Sequence, residues 1–361
     1  MPGLTIMVKP VSGACNMRCR YCFYSDIMAK RQTGIYPRMT EDMLETLVRR
    51  AFRYADGPIN FAFQGGEPTL AGLPFYEKLI RLEREYNVRN LPVTNAIQTN
   101  GYDLSEEMID FFARHHFLVG VSLDGIRETH DRMRIDAAGM GTFERVLQNI
   151  DRLRNAGVQF NILCVVNDHV AGHPKETFEL LAPYGYLQFI ACLDDLDGSR
   201  KNYSLTDAKY LSFLKETFDL YYRSYKSGRA VSIRTFENYI GILMGYPPEN
   251  CAMCGRCNAH FLIESDGSVY PCDFYVLDEW RIGSIAEEPF NRLAKAEVAQ
   301  RFIHESEAVP DKCRACRWYG LCRNGCKRER LPESNLFRWC EVTQRFLEYS
   351  YDRMLEIAKA R

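Results

Sequence analysis

The sequence predicts an α/β fold: a partial (β/α)6 barrel of the TIM type over residues 1–230, then a cysteine-rich C-terminal domain over 231–361 that ends in a helix. Three observations predict it. Short apolar runs of β character alternate with longer amphipathic stretches up to about residue 230, and repeated strand–helix units imply a parallel sheet covered by helices. Polar and glycine-rich residues gather after the ends of successive strands, where barrel active sites are built; a doubly wound sheet would collect them at one switch point. Beyond about Ala230 the pattern changes to short strands, turns and cysteines. Such a region has little room for its own apolar core, so bound metal is expected to hold it together.

In order along the chain, the predicted strands are Thr5–Lys9, Ile59–Gln64, Ala96–Thr99, Leu118–Ser122, Phe160–Val166 and Leu187–Ala191. Helical periodicity places helices over Glu41–Tyr54, Phe75–Tyr86, Glu106–His115, Thr142–Ala156 and Lys175–Leu181, and a longer one over about Thr206–Ser227. Cys15, Cys19 and Cys22 follow the first strand, and Gly65-Gly66-Glu67-Pro68 the second. Gln98-Thr99-Asn100-Gly101 follows the third and Ser122-Leu123-Asp124-Gly125 the fourth. In the C-terminal part, Phe261–Tyr270 has the pattern of a β-hairpin turning at Asp266-Gly267.

Composition narrows the class. Of 361 residues, 46% are hydrophobic and 26% charged, ordinary for a soluble globular protein. Lys plus Arg is 46 against 47 for Asp plus Glu, a net charge of −1, which argues against a strongly basic nucleic-acid binder or a polybasic membrane protein. No apolar run approaches the roughly 20 residues that span a bilayer. The start, Met1-Pro2-Gly3-Leu4-Thr5, lacks the basic and apolar regions of a signal peptide, so a cytoplasmic location is expected. The chain has 14 cysteines. In a reducing cytosol, clustered cysteines are metal ligands or redox groups more often than disulfides.

Their spacing sets out the possible chemistry. Cys15-x3-Cys19-x2-Cys22 brings three thiols within eight residues. Three ligands on a four-iron cluster leave one iron open, the mark of a site that binds substrate. Tyr21, Phe23 and Tyr24 would shield such a cluster from water. Structural zinc with a fourth ligand from elsewhere is the alternative reading. Nine further cysteines fall in the last third: Cys251, Cys254, Cys257 and Cys272, then Cys313, Cys316, Cys322, Cys326 and Cys340. Two four-cysteine sites need eight, so one is spare; spacing does not say which, nor choose between zinc and iron–sulfur.

The remaining signals are weak singly. Gly65-Gly66 has a plain reading as a tight turn and a functional one as close backbone approach to a ligand. Ser122, Asp124 and Arg134 read singly as surface polar residues. Cys164 and Cys192 lie in apolar strand contexts and read as buried thiols.

Together these motifs resemble a known family. Cys-x3-Cys-x2-Cys with an aromatic before its last cysteine, followed by Gly-Gly-Glu-Pro after the next strand, is similar to the radical S-adenosylmethionine (SAM) enzymes. The C-terminal cysteines resemble their auxiliary-cluster extension, the SPASM domain. Gln64–Gly72 and Ser265–Tyr275 resemble the anaerobic sulfatase-maturating enzymes within that group.

The resemblance implies three 4Fe–4S clusters and S-adenosylmethionine as cofactors. Cys15, Cys19 and Cys22 would hold the SAM-cleaving cluster, and Tyr21, Gly66, Ser122, Arg134 and Leu193 would contact S-adenosylmethionine. Cys251, Cys257, Cys272 and Cys326 would hold one auxiliary cluster; Cys313, Cys316, Cys322 and Cys340 the other. Cys254 is then the spare thiol, a departure from the pattern. Asp273 matches the family's catalytic base. The implied reaction oxidises a Cys or Ser of a target sulfatase to Cα-formylglycine by hydrogen abstraction with a 5′-deoxyadenosyl radical. The implied partners are an unfolded sulfatase or peptide and an electron donor such as flavodoxin or ferredoxin, with no nucleic acid or membrane. The rival readings are a related radical enzyme that crosslinks or epimerises another peptide, and a non-catalytic zinc-binding interaction protein.

Overall fold

A computed structural model of the chain describes residues 3–229 and 231–361. Met1 and Pro2, in the reading of the N-terminus, and Ala230, at the expected domain boundary, lie outside the described residues. In chain order the strands are β1 (Leu4–Val8), β2 (Ile59–Phe63), β3 (Val93–Thr99), β4 (Leu118–Ser122), β5 (Gln159–Val166), β6 (Tyr186–Ala191), β7 (Ser232–Ile233), β8 (Leu262–Ile263), β9 (Ser268–Tyr270) and β10 (Gly283–Ser284). The chain divides into two compact units, interleaved in sequence.

The first unit comprises Met1–Ser122, Met133–Phe160 and Ala259–Phe302. Its strands run in the order β10-β9-β8-β1-β2-β3-β4. β1 to β4 are parallel neighbours, as the strand–helix alternation predicts. β8 joins the free side of β1 in parallel, and β8, β9 and β10 pair antiparallel. Alternation sets the buried face: Leu4, Ile6 and Val8 of β1, and Ile59, Phe61 and Phe63 of β2, are buried. The helix Glu41–Tyr54 begins where Thr40 accepts from the Met43 N–H, and it buries Leu44, Leu47, Val48, Ala51 and Phe52 along one stripe. Ser105 caps Glu106–Arg114 in the same way through Met108. Tyr76 is fully buried, its ring 5.3 Å from Phe63 and 6.1 Å from Phe117, and its hydroxyl donates to the Pro68 carbonyl at 2.7 Å. That bond ties the helix Leu73–Tyr86 to the turn after β2. The expected hairpin turns at Asp266-Gly267, where Gly267 has φ +86° and Asp266 accepts from the Ser268 N–H.

The second unit comprises Leu123–Arg132, Asn161–Asn258 and Ile303–Arg361. Within it β5 (from Asn161), β6 and β7 are parallel neighbours. The long helices Asp207–Lys226 and Cys340–Ala360 pack through Phe218 and Phe346, ring centroids 5.8 Å apart, and through Arg353 Nη1 on Asp219 Oδ1 at 2.7 Å. Among the described residues no helix is long and apolar enough to cross a membrane.

Candidate active site

The three-cysteine loop is shaped by its own backbone and by one neighbouring segment. Arg18 and Arg20 donate their N–H groups to the carbonyls of Ile135 (2.7 Å) and Met133 (2.9 Å). The Arg18 side chain reaches back to the Cys15 carbonyl at 2.7 Å, and the Cys22 N–H donates to the Cys19 carbonyl at 3.2 Å. Cys22 then stands at the start of the helix Phe23–Ala29. All three thiols are half-buried. Burial pushes the Cys15 thiol up, and the nearby charges of Glu67 and Cys22 add to the rise, while the Met17 N–H, 3.4 Å from its sulfur, acts in the opposite sense. Such a set of neighbouring thiols suits a shared cationic centre, because cationic iron reverses the mutual repulsion of thiolates.

The glycine pair after β2 packs directly on this loop. Gly66 N–H donates to Ser12 O and Glu67 N–H to Ala14 O, both at 2.8 Å. A Cβ on Gly66 would lie 2.0 Å from Ala14 O, so only glycine fits. Close backbone approach, not the turn alone, requires this residue.

Glu67, 1% exposed, joins three segments. Its Oε1 accepts from Thr69 N (3.1 Å), Thr69 Oγ1 (2.8 Å) and Thr99 Oγ1 (2.8 Å), and its Oε2 from Asn100 N (2.7 Å). The Asn100 side-chain amide in turn donates to Asn16 Oδ1 at 2.8 Å and lies 3.7 Å from Cys15 Sγ. Sequence reasoning singled out neither side chain; the signal was their place at the ends of β2 and β3.

Four of the five expected S-adenosylmethionine contacts lie in the first unit. Arg134 Nη1 donates to the Tyr21 hydroxyl at 2.8 Å, and Ser122 Oγ accepts from Gln98 at 3.2 Å. Gly66 is at the turn just described. Leu193 belongs to the second unit, after β6, where its carbonyl accepts from the Cys192 thiol. The surface reading of Arg134 and Asp124 is corrected, since both are buried. Asp124 accepts from the Val165 N–H at 2.9 Å, so it fastens a strand. Cys164 and Cys192 are buried, as expected, and burial helped by the Asp124 charge pushes the Cys192 thiol up to about 12.

Asp273 follows Cys272 at the end of the hairpin, and its side chain is only 17% exposed. Its Oδ1 lies 2.6 Å from Nζ of Lys9, a lysine 1% exposed at the end of β1. The same ammonium sits 3.7 Å from the centre of the Tyr24 ring. The Tyr24 hydroxyl donates to Glu264, which pairs with Arg31 at 2.8 Å; both members of that pair are fully buried. Asp273 thus ends a buried chain of alternating charge. Lys9, Arg31 and Glu264 were missed because single charged residues outside a motif read as surface, and Tyr24, read as a shield for the cysteine loop, also carries this chain through its ring and hydroxyl.

In the second unit most of the C-terminal thiols fall into two groups, while Cys272, expected beside Cys251, Cys257 and Cys326, belongs to the first unit. Cys313, Cys316, Cys322 and Cys340 line one cavity with about 330 Å³ of atom-free space, part of it open to solvent. Burial pushes Cys322 up to about 11, with the charges of Cys340, Cys313 and Cys316 adding to the rise. Cys313 donates to Asn324 Oδ1 at 3.5 Å, and Gln344 donates to Cys316 Sγ at 3.4 Å. Cys251, Cys257 and Cys326 form the other group. Burial pushes Cys326 up to about 12, and the charges of Cys251 and Cys257 add to it. The Cys254 thiol is directed at the carbonyls of Asn250 (3.7 Å) and Pro248 (3.9 Å). Thiols are the donor type that thiolate-bound metal clusters use.

Comparison with known proteins agrees with this chemistry. The Radical SAM superfamily model matches residues 10–181, and the SPASM model, an iron–sulfur cluster-binding domain, matches 248–317. The latter decides for iron–sulfur over zinc. The chain is 43% identical to a cysteine-type anaerobic sulfatase-maturating enzyme of Clostridium novyi (strain NT), over 99% of this chain and 98% of that one. A serine-type counterpart from Klebsiella aerogenes is 30% identical over 89% of this chain and 79% of its own. The solved structure of native anSMEcpe with bound AdoMet and Kp18Cys peptide superposes with a TM-score of 0.94 at 40% identity, covering 100% of both chains. The fold is therefore the radical SAM α/β domain with its SPASM extension, and the chain belongs to the anaerobic sulfatase-maturating enzymes of the radical SAM superfamily.

Proposed function

We propose that this enzyme oxidises a cysteine side chain of a sulfatase, presented as an unfolded segment or peptide, to Cα-formylglycine. The observation that carries the reading is the convergence within one unit of the three-thiol loop, the Gly66 turn packed on it, and an Asp273 carboxylate held by a buried lysine. The cysteine preference draws support from 43% identity to a cysteine-type relative against 30% to a serine-type one. Cys15, Cys19 and Cys22 would hold the first 4Fe–4S cluster, which when bound supplies the electron that splits S-adenosylmethionine into methionine and a 5′-deoxyadenosyl radical. Tyr21, Gly66, Ser122, Arg134 and Leu193 would bind and orient S-adenosylmethionine. The bond from Arg134 to Tyr21 and the steric demand at Gly66 support this for those residues.

Asp273 would take the thiol proton of the target cysteine. A carboxylate is a competent acceptor, and the Lys9 ammonium fixes where its oxygens lie. Cys313, Cys316, Cys322 and Cys340 would hold one auxiliary cluster, and Cys251, Cys257, Cys272 and Cys326 the other. The hydrogen bonds of the Cys254 thiol to backbone carbonyls favour its being spare. A division at about residue 230, an electron donor of the flavodoxin or ferredoxin class and a cytoplasmic location complete the reading.

The test is Asp273→Asn in anaerobically reconstituted enzyme. The variant should keep about twelve irons per chain and still form 5′-deoxyadenosine. Formylglycine from a Cys-containing peptide should fall about 100- to 10,000-fold, the usual weight of a general base. Unchanged peptide conversion would remove Asp273 from the reaction.

A further inference from the structure

We propose that Asn100 sets the reduction potential of the SAM-cleaving cluster by donating a hydrogen bond to the Cys15 sulfur. The inference rests on the assignment of that cluster to Cys15, Cys19 and Cys22. Three bonds fix the orientation of the Asn100 side chain. Its Oδ1 accepts from the Tyr102 N–H at 2.8 Å, so the NH2 group must face the other way. One hydrogen goes to Asn16 Oδ1 at 2.8 Å, and the nitrogen lies 3.7 Å from Cys15 Sγ. Its own backbone N–H is held by Glu67 at 2.7 Å, so the residue cannot swing away. Asn100 is 7% exposed, so water does not easily replace the donor.

An N–H aimed at a ligating sulfur stabilises the extra negative charge of the reduced cluster and raises its potential. The Met17 N–H, 3.4 Å from the same sulfur, acts in the same sense, which leaves Cys15 with two donors. Cys15 is therefore the ligand through which the protein biases how easily the cluster accepts an electron, and Asn100 is the side chain that applies the bias.

The test is an anaerobic redox titration of reconstituted holoenzyme, followed by electron paramagnetic resonance, for wild type, Asn100→Ser and Asn100→Asp. The signal that changes on adding S-adenosylmethionine marks the cluster of interest, and the other clusters serve as internal controls. Ser cannot reach Cys15; Asp keeps the shape but replaces the donor with a charge. The midpoint of the marked signal should fall in both, further in Asp. At fixed potential the reduced-to-oxidised ratio should drop about tenfold in Asn100→Ser, equivalent to 59 mV for a one-electron couple. The auxiliary midpoints should stay in place. An unchanged midpoint in Asn100→Ser with full iron content would overturn the proposal, whatever the Asp variant does. Loss of this cluster from both variants would do so too, since Asn100 would then be a brace. If no wild-type signal responds to S-adenosylmethionine, the cluster assignment itself fails, which is a different result.

Discussion

Glu67→Gln is a small change with a specific expected consequence. Oε1 already accepts three hydrogen bonds, from Thr69 N, Thr69 Oγ1 and Thr99 Oγ1, so the glutamine oxygen must stay there. The new NH2 group then takes the place of Oε2 and faces the Asn100 N–H, 2.7 Å away in the wild type. Donor meets donor. A hydrogen bond to a charged group contributes about 1.5–3 kcal/mol, and the Asn100 N–H would be left buried without its partner. At 1.4 kcal/mol per tenfold, that corresponds to opening of the β3 end that is about 10- to 100-fold more frequent. Hydrogen–deuterium exchange with mass spectrometry reads it directly: peptides covering residues 99–101 should lose that much protection, while those from the helix Glu41–Tyr54 should not change. S-adenosylmethionine cleavage should fall in parallel, because the same carboxylate steadies the turn that carries Gly66. Unaltered protection at 99–101 would refute the idea that Glu67 locks these segments together.

Three further outcomes are expected. Gly66→Ala should lose most S-adenosylmethionine binding, measured by isothermal titration, because its Cβ would sit 2.0 Å from Ala14 O; wild-type affinity would contradict the packing argument. Cys254→Ala should retain full iron content and activity whereas Cys257→Ala should lose one auxiliary cluster, and iron analysis showing the reverse would mean a different ligand set. Glu83, mostly buried with one oxygen lacking a partner, has its carboxyl raised by burial from 4.5 to about 7. The folded state therefore binds its proton more tightly than the unfolded state, so stability is full below about pH 4.5 and is lost as pH rises through about 7. Glu83→Gln should flatten that profile and raise stability at pH 8 by up to about 3 kcal/mol, read by thermal unfolding at pH 5 and pH 8. Parallel wild-type and variant profiles would show that Glu83 is not the group responsible.

The parallel strand–helix alternation and the first cysteine loop were legible for physical reasons that are local, whereas the pairing of Cys326 with Cys251 and Cys257 crosses the two C-terminal spacings. Buried parallel strands leave continuous apolar runs, and β4 matched its predicted limits, Leu118–Ser122. β3 begins at Val93 rather than Ala96, because Thr94 and Asn95 interrupt the apolar run. Asn95 is nonetheless buried, donating to Glu83 at 3.2 Å, a partner 12 residues back on the preceding helix that apolar patterning does not reveal. The thiols of the first loop lie within eight residues, so spacing alone revealed them. Lys9, Glu264 and Arg31 were illegible because a buried charge is tolerated only through a partner brought from elsewhere in the chain, and here those partners are 233 residues apart for Arg31 and Glu264. Arg134 and Asp124 misled in the same direction. Short helices such as Phe23–Ala29 and Arg127–Met133 give too little periodicity to read.

The most direct test of the central claim uses a Cys-containing sulfatase peptide deuterated at the cysteine Cβ, incubated anaerobically with reconstituted enzyme, S-adenosylmethionine and a reductant. The account predicts deuterium in the 5′-deoxyadenosine formed, together with a peptide whose cysteine has exchanged sulfur for oxygen and lost two hydrogens. Deuterium-free 5′-deoxyadenosine, or a peptide that emerges crosslinked or epimerised with its sulfur retained, would contradict it.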